Sequence, residues 1–201
     1  MKIVFDKYST NYFENLSGEI TENCQIYSSK ITLNKFVGIM MNVKYATGRL
    51  IINGELANNE LSINRGIYVV DEFLLYEHLN VYDNLSLVLR SMKMSPVTIF
   101  RKITNLNKSL NVNLDCKIKE LTEDEILKLF YAKVVLSDCH IAIVKKYYNF
   151  TKIFNEQNIL KLAKMFEEKN ISFLILSDRK EKLSDKFPIM KLGKSSIIRI
   201  K

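Results

Sequence analysis

Apolar residues recur along this chain at two spacings, and each spacing predicts a kind of element. Short runs at Lys2–Phe5, Glu19–Ile20 and Gln25–Tyr27 predict strands, as do Arg49–Ile52 and Gly66–Val70, which lie beside glycines. Val81–Met92 carries Leu85, Val88 and Leu89 at helical spacing, and Pro96 separates it from a second helical stretch over Val97–Leu110. Further helices are predicted over Ile31–Asn42, Glu123–Leu136 (amphipathic) and Glu156–Lys169. His140–Val144 and Ile171–Leu176 are unbroken apolar runs, the pattern of strands buried on both faces. Ile189–Leu192 and Ile197–Ile200 read as a terminal hairpin-like pair. Strand–helix–strand alternation predicts an α/β fold with an open, largely parallel sheet.

Composition changes this picture little. A chain of 201 residues, 47% hydrophobic, suffices for one domain with its own core. No apolar run approaches the 18 or so residues of a membrane span, and the N-terminus has no signal-peptide pattern. The three cysteines, Cys24, Cys116 and Cys139, have no metal-type spacing and read as reduced thiols of a cytosolic protein. The net charge of +8 is concentrated late: residues 1–120 hold 14 Lys/Arg against 12 Asp/Glu, residues 121–201 hold 16 against 10. No aromatic-interleaved basic cluster accompanies it, so nucleic acid is not expected as a partner. His78 and His140 stand apart from other ligand types, and no metal site is expected.

The candidate chemistry lies in ordered blocks. Tyr27-Ser28-Ser29-Lys30-Ile31-Thr32-Leu33 is close to a phosphate-binding loop, G-x-x-x-x-G-K-[ST]. In such a loop glycines let backbone N–H groups converge on phosphate, the Lys reaches the phosphates, and a hydroxyl holds Mg²⁺. Lys30 keeps the Lys position, but Cys24 and Ser29 replace the glycines and Ile31 replaces the Mg²⁺ ligand, leaving Lys30 and Thr32 as vestiges. Thr47-Gly48-Arg49-Leu50-Ile51-Ile52-Asn53-Gly54 follows, then Arg65-Gly66-Ile67-Tyr68-Val69-Val70-Asp71-Glu72, then Leu79-Asn80-Val81-Tyr82-Asp83-Asn84-Leu85. Over nearly its whole length the chain resembles the ATP-binding domain of ABC transporters. The resemblance implies a P-loop-type ABC ATPase fold with a mostly parallel core sheet, an N-terminal antiparallel β part and a helical subdomain. It implies one continuous domain, with 1–85 and 139–201 as core and 86–138 as the helical subdomain.

Carried over position by position, the resemblance finds each chemical residue replaced. Asp71 stands at the Q-loop Gln, Leu121-Thr122-Glu123-Asp124-Glu125 at the signature, Lys145-Lys146 at the Walker B Asp-Glu, and Asp178 at the switch His. Protonated Lys offers donors and no acceptor, so it cannot ligate Mg²⁺. At 4 Å, an effective dielectric near 20 makes such a like-charge pair repulsive by about 4 kcal/mol. Three carboxylates at the signature would repel a partner's triphosphate, whereas Thr122 and Glu125 at the spacing Thr-x-x-Glu form a capping box. Val69-Val70-Asp71-Glu72 imitates a Walker B run, but Leu79–Leu85 marks it as the Q-loop region. Tyr8, where the family stacks an aromatic on adenine, is read as packing.

The expectation is therefore a degenerate, non-enzymatic pseudo-ATPase with no cofactor. It would be cytoplasmic, peripheral on the inner face of the cell membrane, and docked on a permease coupling helix. The docking residues implied are Asp71, Phe73, Leu74, Leu75, Tyr76, Leu79 and Tyr82. The spacing from Leu85 to Leu121 resembles export-type members handling peptides or antibiotics. A competent ABC ATPase subunit or a second copy would be a further partner, although both composite sites of a head-to-tail pair would be altered. The alternatives are a soluble regulatory or immunity-like binding protein on the same fold, and a residual nucleotide-binding ATPase.

Overall fold

The computed structural model describes residues 1–41, 46–57, 66–71, 74–147 and 153–200. Strands β1 (Ile3–Ser9), β2 (Leu16–Ile20), β4 (Thr47–Ile52) and β5 (Glu55–Leu56) form an antiparallel sheet in the order β2-β1-β4-β5. A second sheet runs β10-β9-β3-β8-β7-β6. It contains β3 (Cys24–Tyr27), β6 (Ile67–Val70), β7 (Ile141–Lys146), β8 (Ser172–Ser177), β9 (Ile189–Leu192) and β10 (Ile197–Ile200). All its pairings are parallel except β9–β10, the expected hairpin-like pair. Helix α1 (Lys30–Met41) follows β3. Helices α2 (Val81–Ser91), α3 (Pro96–Leu110) and α4 (Glu123–Leu136) fill the stretch between β6 and β7, and α5 (Glu156–Glu167) precedes β8. The fold class read from the sequence, a mostly parallel core sheet with an N-terminal antiparallel part and helices, is the one observed.

The two apolar strands show why the sheet lies at the centre. Side chains alternate across a strand, so Ile141 and Ile143 of β7, with Leu174 and Leu176 of β8, face the antiparallel sheet and α1. Ala142, Val144, Phe173 and Ile175 face α2–α5. Each large aliphatic or aromatic side chain so buried contributes about 1.5–3 kcal/mol. Phe36 and Leu33 seal the first layer, and Phe130, Phe154 and Phe166 the second; all five are fully buried or nearly so.

Three features of the fold show why the structure departs from the sequence reading. Strand β1 continues to Ser9 because a bulge, not an end, interrupts its alternation. Asp6 pairs with Arg49 and Ser9 with Thr47, leaving Lys7 and Tyr8 opposite Gly48 alone. Strand β7 includes Lys145 and Lys146, in register with Leu176 and Ser177. Helix α4 is not amphipathic: Leu127 and Leu129–Val134 are all buried, since neighbours cover it on several sides. Its N-terminus carries the expected capping box, with the Glu125 N–H donating to Thr122 Oγ1 at 3.3 Å and the Thr122 N–H to Glu125 Oε2 at 2.9 Å. Thr122→Ala should cost about 1 kcal/mol of unfolding free energy, readable by urea denaturation.

Candidate functional site

Parallel strands β3, β8, β7 and β6 all end at one edge of the sheet, the place where open α/β sheets present ligand-binding groups. At that edge stand Ser28 and Ser29 after β3, Asp178 after β8, Lys145 and Lys146 closing β7, and Asp71 after β6. Lys145 and Asp71 form an ion pair with both side chains 19% exposed, so it is shielded from full hydration. The Tyr147 ring lies between two cations, its centroid 5.6 Å from Lys30 Nζ and 5.3 Å from Lys145 Nζ. Its hydroxyl donates to Asn34 Oδ1 of α1 at 3.0 Å. Burial holds that hydroxyl far above the usual phenol range, and the nearby charges of Asp71 and Asp178 reinforce the effect. The sequence reading missed Tyr147. An aromatic after two lysines gives no periodic signal, although it directly follows the Walker B run.

The β3–α1 link is short. Cys24, at the first glycine position, lies within β3, and Ser28 and Ser29 alone separate the strand from Lys30 at the start of α1. The Ser28 N–H donates to the Ser177 carbonyl at 3.3 Å, and its hydroxyl to the Leu192 carbonyl at 2.6 Å. Thr32 is buried; its hydroxyl shares hydrogen bonds with Tyr12 and Ser29, each 2.9 Å. Ile31 is exposed. These residues do not fit a magnesium nucleotide cradled by a glycine loop. Buried Gln25 holds the loop after β8 instead: its amide donates to the Glu181 carbonyl at 2.7 Å, and its Oε1 accepts from the Leu183 N–H at 3.3 Å.

The signature-position acids lie elsewhere, on the first turn of α4. Glu125 closes the capping box, Asp124 is ion-paired with Lys161, and Glu123 Oε2 accepts from Asn158 at 3.4 Å. Tyr8 lies fully buried against Phe5. His78 sits by Tyr76, ring centroids 6.0 Å apart, and His140 near Gly66. Among the described residues no group of three potential metal ligands gathers.

The stretch Tyr76–Asn80 is held by one side chain. Asn84 is fully buried, accepts from the Tyr76 N–H at 2.8 Å, and donates to the carbonyls of Tyr76 (3.0 Å), Leu79 (3.3 Å) and Asn80 (3.0 Å). Tyr76 is thereby presented outward, 46% exposed, while Leu75 and Tyr82 pack against the core; Phe73 lies outside the described residues. Leu74, Tyr76 and Asp71 border a cavity of about 580 Å³ between α1, β6, α2 and α4. Lys133 also lines it. The side chain is 3% exposed, its ammonium donates to the Leu74 carbonyl, and burial lowers its pKa to about 8.

No protein-family profile matches the chain. The sn-glycerol-3-phosphate import ATP-binding protein UgpC of Vibrio vulnificus strain YJ016 is 26% identical over 154 residues, which is 73% of this chain and 41% of that protein. UgpC of Vibrio cholerae serotype O1 is 30% identical over 95 residues, 46% of this chain and 26% of its own. The chain thus spans less than half the length of the curated relatives it matches. Among solved structures, the ADP conformation of MJ1267, an ATP-binding cassette of an ABC transporter, has a TM-score of 0.74 at 12% identity. The match covers 98% of this chain and 89% of that one. A bacterial Atm1-family ABC exporter with ATP bound gives 0.69 at 11% identity, covering 98% of this chain and 37% of the exporter chain.

These relatives correct the expectation that the chain is not an enzyme. They are ATP-binding proteins of a class whose members are enzymes. The charge argument behind that expectation also treated Lys145 as an uncompensated cation, whereas Asp71 neutralises it. The chain has the fold of an ABC transporter ATP-binding cassette and is related in sequence to ATP-binding proteins of those transporters.

Proposed function

We propose that this chain serves an ABC transporter as a cytoplasmic, membrane-peripheral cassette that docks on a permease helix through the segment after β6. The observation that carries this is the outward-facing Tyr76, fixed by Asn84, at the border of a 580 Å³ cavity between the sheet and the helices. An exposed aromatic whose backbone is hydrogen-bonded to a buried side chain, beside an apolar hollow, suits a docked helix better than solvent. Asp71, Leu74, Leu75, Leu79 and Tyr82 shape this region, Leu75 and Tyr82 from behind. No described helix is long and apolar enough to cross a membrane, so in this reading the permease supplies the spans. The relatives named above include an importer component and an exporter, so the proposal concerns docking and not direction. A second cassette, either another copy or a different chain, would complete the assembly; MJ0796, a solved neighbour, is a dimer.

The test is co-purification of the tagged chain from gently solubilised native membranes. A stoichiometric polytopic protein is expected with the wild type. Tyr76→Glu should reduce its retention at least ~10-fold, about 1.4 kcal/mol, without changing thermal unfolding. Soluble partners alone, or equal retention by Tyr76→Glu, would overturn the docking role and favour a regulatory module.

A further inference from the structure

A strong excess of positive charge hides within the near-balance of residues 1–120. Residues 84–119 hold seven Lys/Arg against one carboxylate, Asp115, a balance of +6. Helix α3 itself carries Arg101, Lys102 and Lys108 and no Asp or Glu. Its inner face is spent on the core through Ile99, Ile103 and Leu110. At about 3.6 residues per turn, Val97, Phe100, Arg101, Thr104 and Lys108 share an adjoining flank. Val97 is 79% exposed and Phe100 61%, far more than a packed apolar side chain. The Phe100 ring meets Tyr82, centroids 6.5 Å apart, and is otherwise largely open. Arg101 and Lys108 are exposed, as is Lys93 in the turn that leads into α3. Lys108 Nζ donates to Asn105 Oδ1 at 3.2 Å, a neutral acceptor that leaves its charge to the surroundings. The flank thus raises two apolar side chains among cations.

We propose that this flank of α3 rests on an anionic lipid surface. Val97 and Phe100 enter the boundary between headgroups and acyl chains, and Arg101, Lys108 and Lys93 meet the lipid phosphates. Apolar side chains on one side of a basic helix, bordered by Lys and Arg, are the pattern of a helix lying in the membrane interface. A protein partner fits less well, because the cores of protein interfaces are depleted in charge, and here Arg101 directly follows Phe100. Nucleic acid fits less well too, since the more exposed of the two, Val97, has no ring for a base to stack on. The attraction of each cation to an anionic leaflet fades within a Debye length, about 8–10 Å at ordinary salt. The contact therefore requires α3 to lie against the bilayer. It is separate from docking at Tyr76 and needs no permease. By holding the cassette at the surface it would raise the effective concentration of the docking segment.

Flotation of the purified chain with protein-free vesicles tests this. One set is equal parts phosphatidylglycerol and phosphatidylcholine, the other phosphatidylcholine alone. The wild type should bind the anionic set at least ~10-fold more tightly. Val97→Gln with Phe100→Gln should lower that binding at least ~5-fold, and so should Arg101→Gln with Lys108→Gln. All four side chains are exposed, so thermal unfolding should stay unchanged. A wild type that does not float with anionic vesicles overturns the proposal. So does full binding by the Val97→Gln, Phe100→Gln variant, which would reduce the contact to charge alone. Sedimentation without vesicles covers the other occupant: if the wild type self-associates and that variant does not, the flank belongs to a second copy and the lipid contact is wrong. Because no permease is present, failure here leaves the docking reading untouched.

Discussion

Gly48→Ala is expected to lower the unfolding free energy by at least ~3 kcal/mol, the largest loss anticipated from a single added methyl in this chain. Gly48 sits opposite the β1 bulge at φ +76, a conformation that costs an L side chain about 1–2 kcal/mol. A Cβ there would overlap the Lys7 carbonyl and stand 2.8 Å from the Asp6 carbonyl oxygen, both backbone groups that cannot swing aside. Forcing the strands apart adds about 1–3 kcal/mol more, the usual range for overpacking. Chemical denaturation checks it: a loss under 1 kcal/mol would mean the bulge is not held as described. The Asp6–Arg49 ion pair beside it is too exposed to compensate.

The second large effect depends on pH. Burial lowers the Lys133 pKa from its ordinary 10.5 to about 8. Below pH 8 both folded and unfolded chains carry the ammonium, and the folded state bears the full cost of burying it. Between pH 8 and 10.5 the folded state sheds the proton while the unfolded chain keeps it, so stability rises through that window. A shift of this size corresponds to about 3 kcal/mol. Lys133→Met lacks this rise. The stability difference between variant and wild type should therefore fall by up to ~3 kcal/mol from pH 7 to pH 10.5. Taking the difference removes the opposing titration of Tyr68 and Tyr147, whose hydroxyls are held above the ordinary phenol value mainly by burial. A difference that stays flat across the window would show that Lys133 reaches solvent.

What the sequence disclosed and what it hid follow from the range of the interactions involved. Strands β7 and β8 were legible because burial on both faces writes itself as an unbroken apolar run. The capping box at Thr122 was legible because its partners are three residues apart. Strand β1 was cut short because a bulge breaks the period-two pattern at Lys7 and Tyr8. Tyr147 and Lys133 depend on chain segments far apart: Asn34 lies on α1, and Leu74 follows β6. A faint signal for Lys133 did exist. It stands three and four residues after Phe130 and Leu129, on a face that reads as apolar. The pairing of Asp71 with Lys145 was hidden because it arises from parallel strands β6 and β7 ending side by side.

The placement of β3 has a consequence for how the chain is made. This strand lies between β8 and β9, so its neighbours emerge from the ribosome only after some 150 further residues. At about 5–20 residues per second that is roughly 7–30 s, during which Cys24–Tyr27 has neither flanking strand. Nascent chains stalled before β8 would expose both faces of the future centre of the sheet. A strand left unpaired for so long is open to wrong edge pairing until translation delivers β8 and β9.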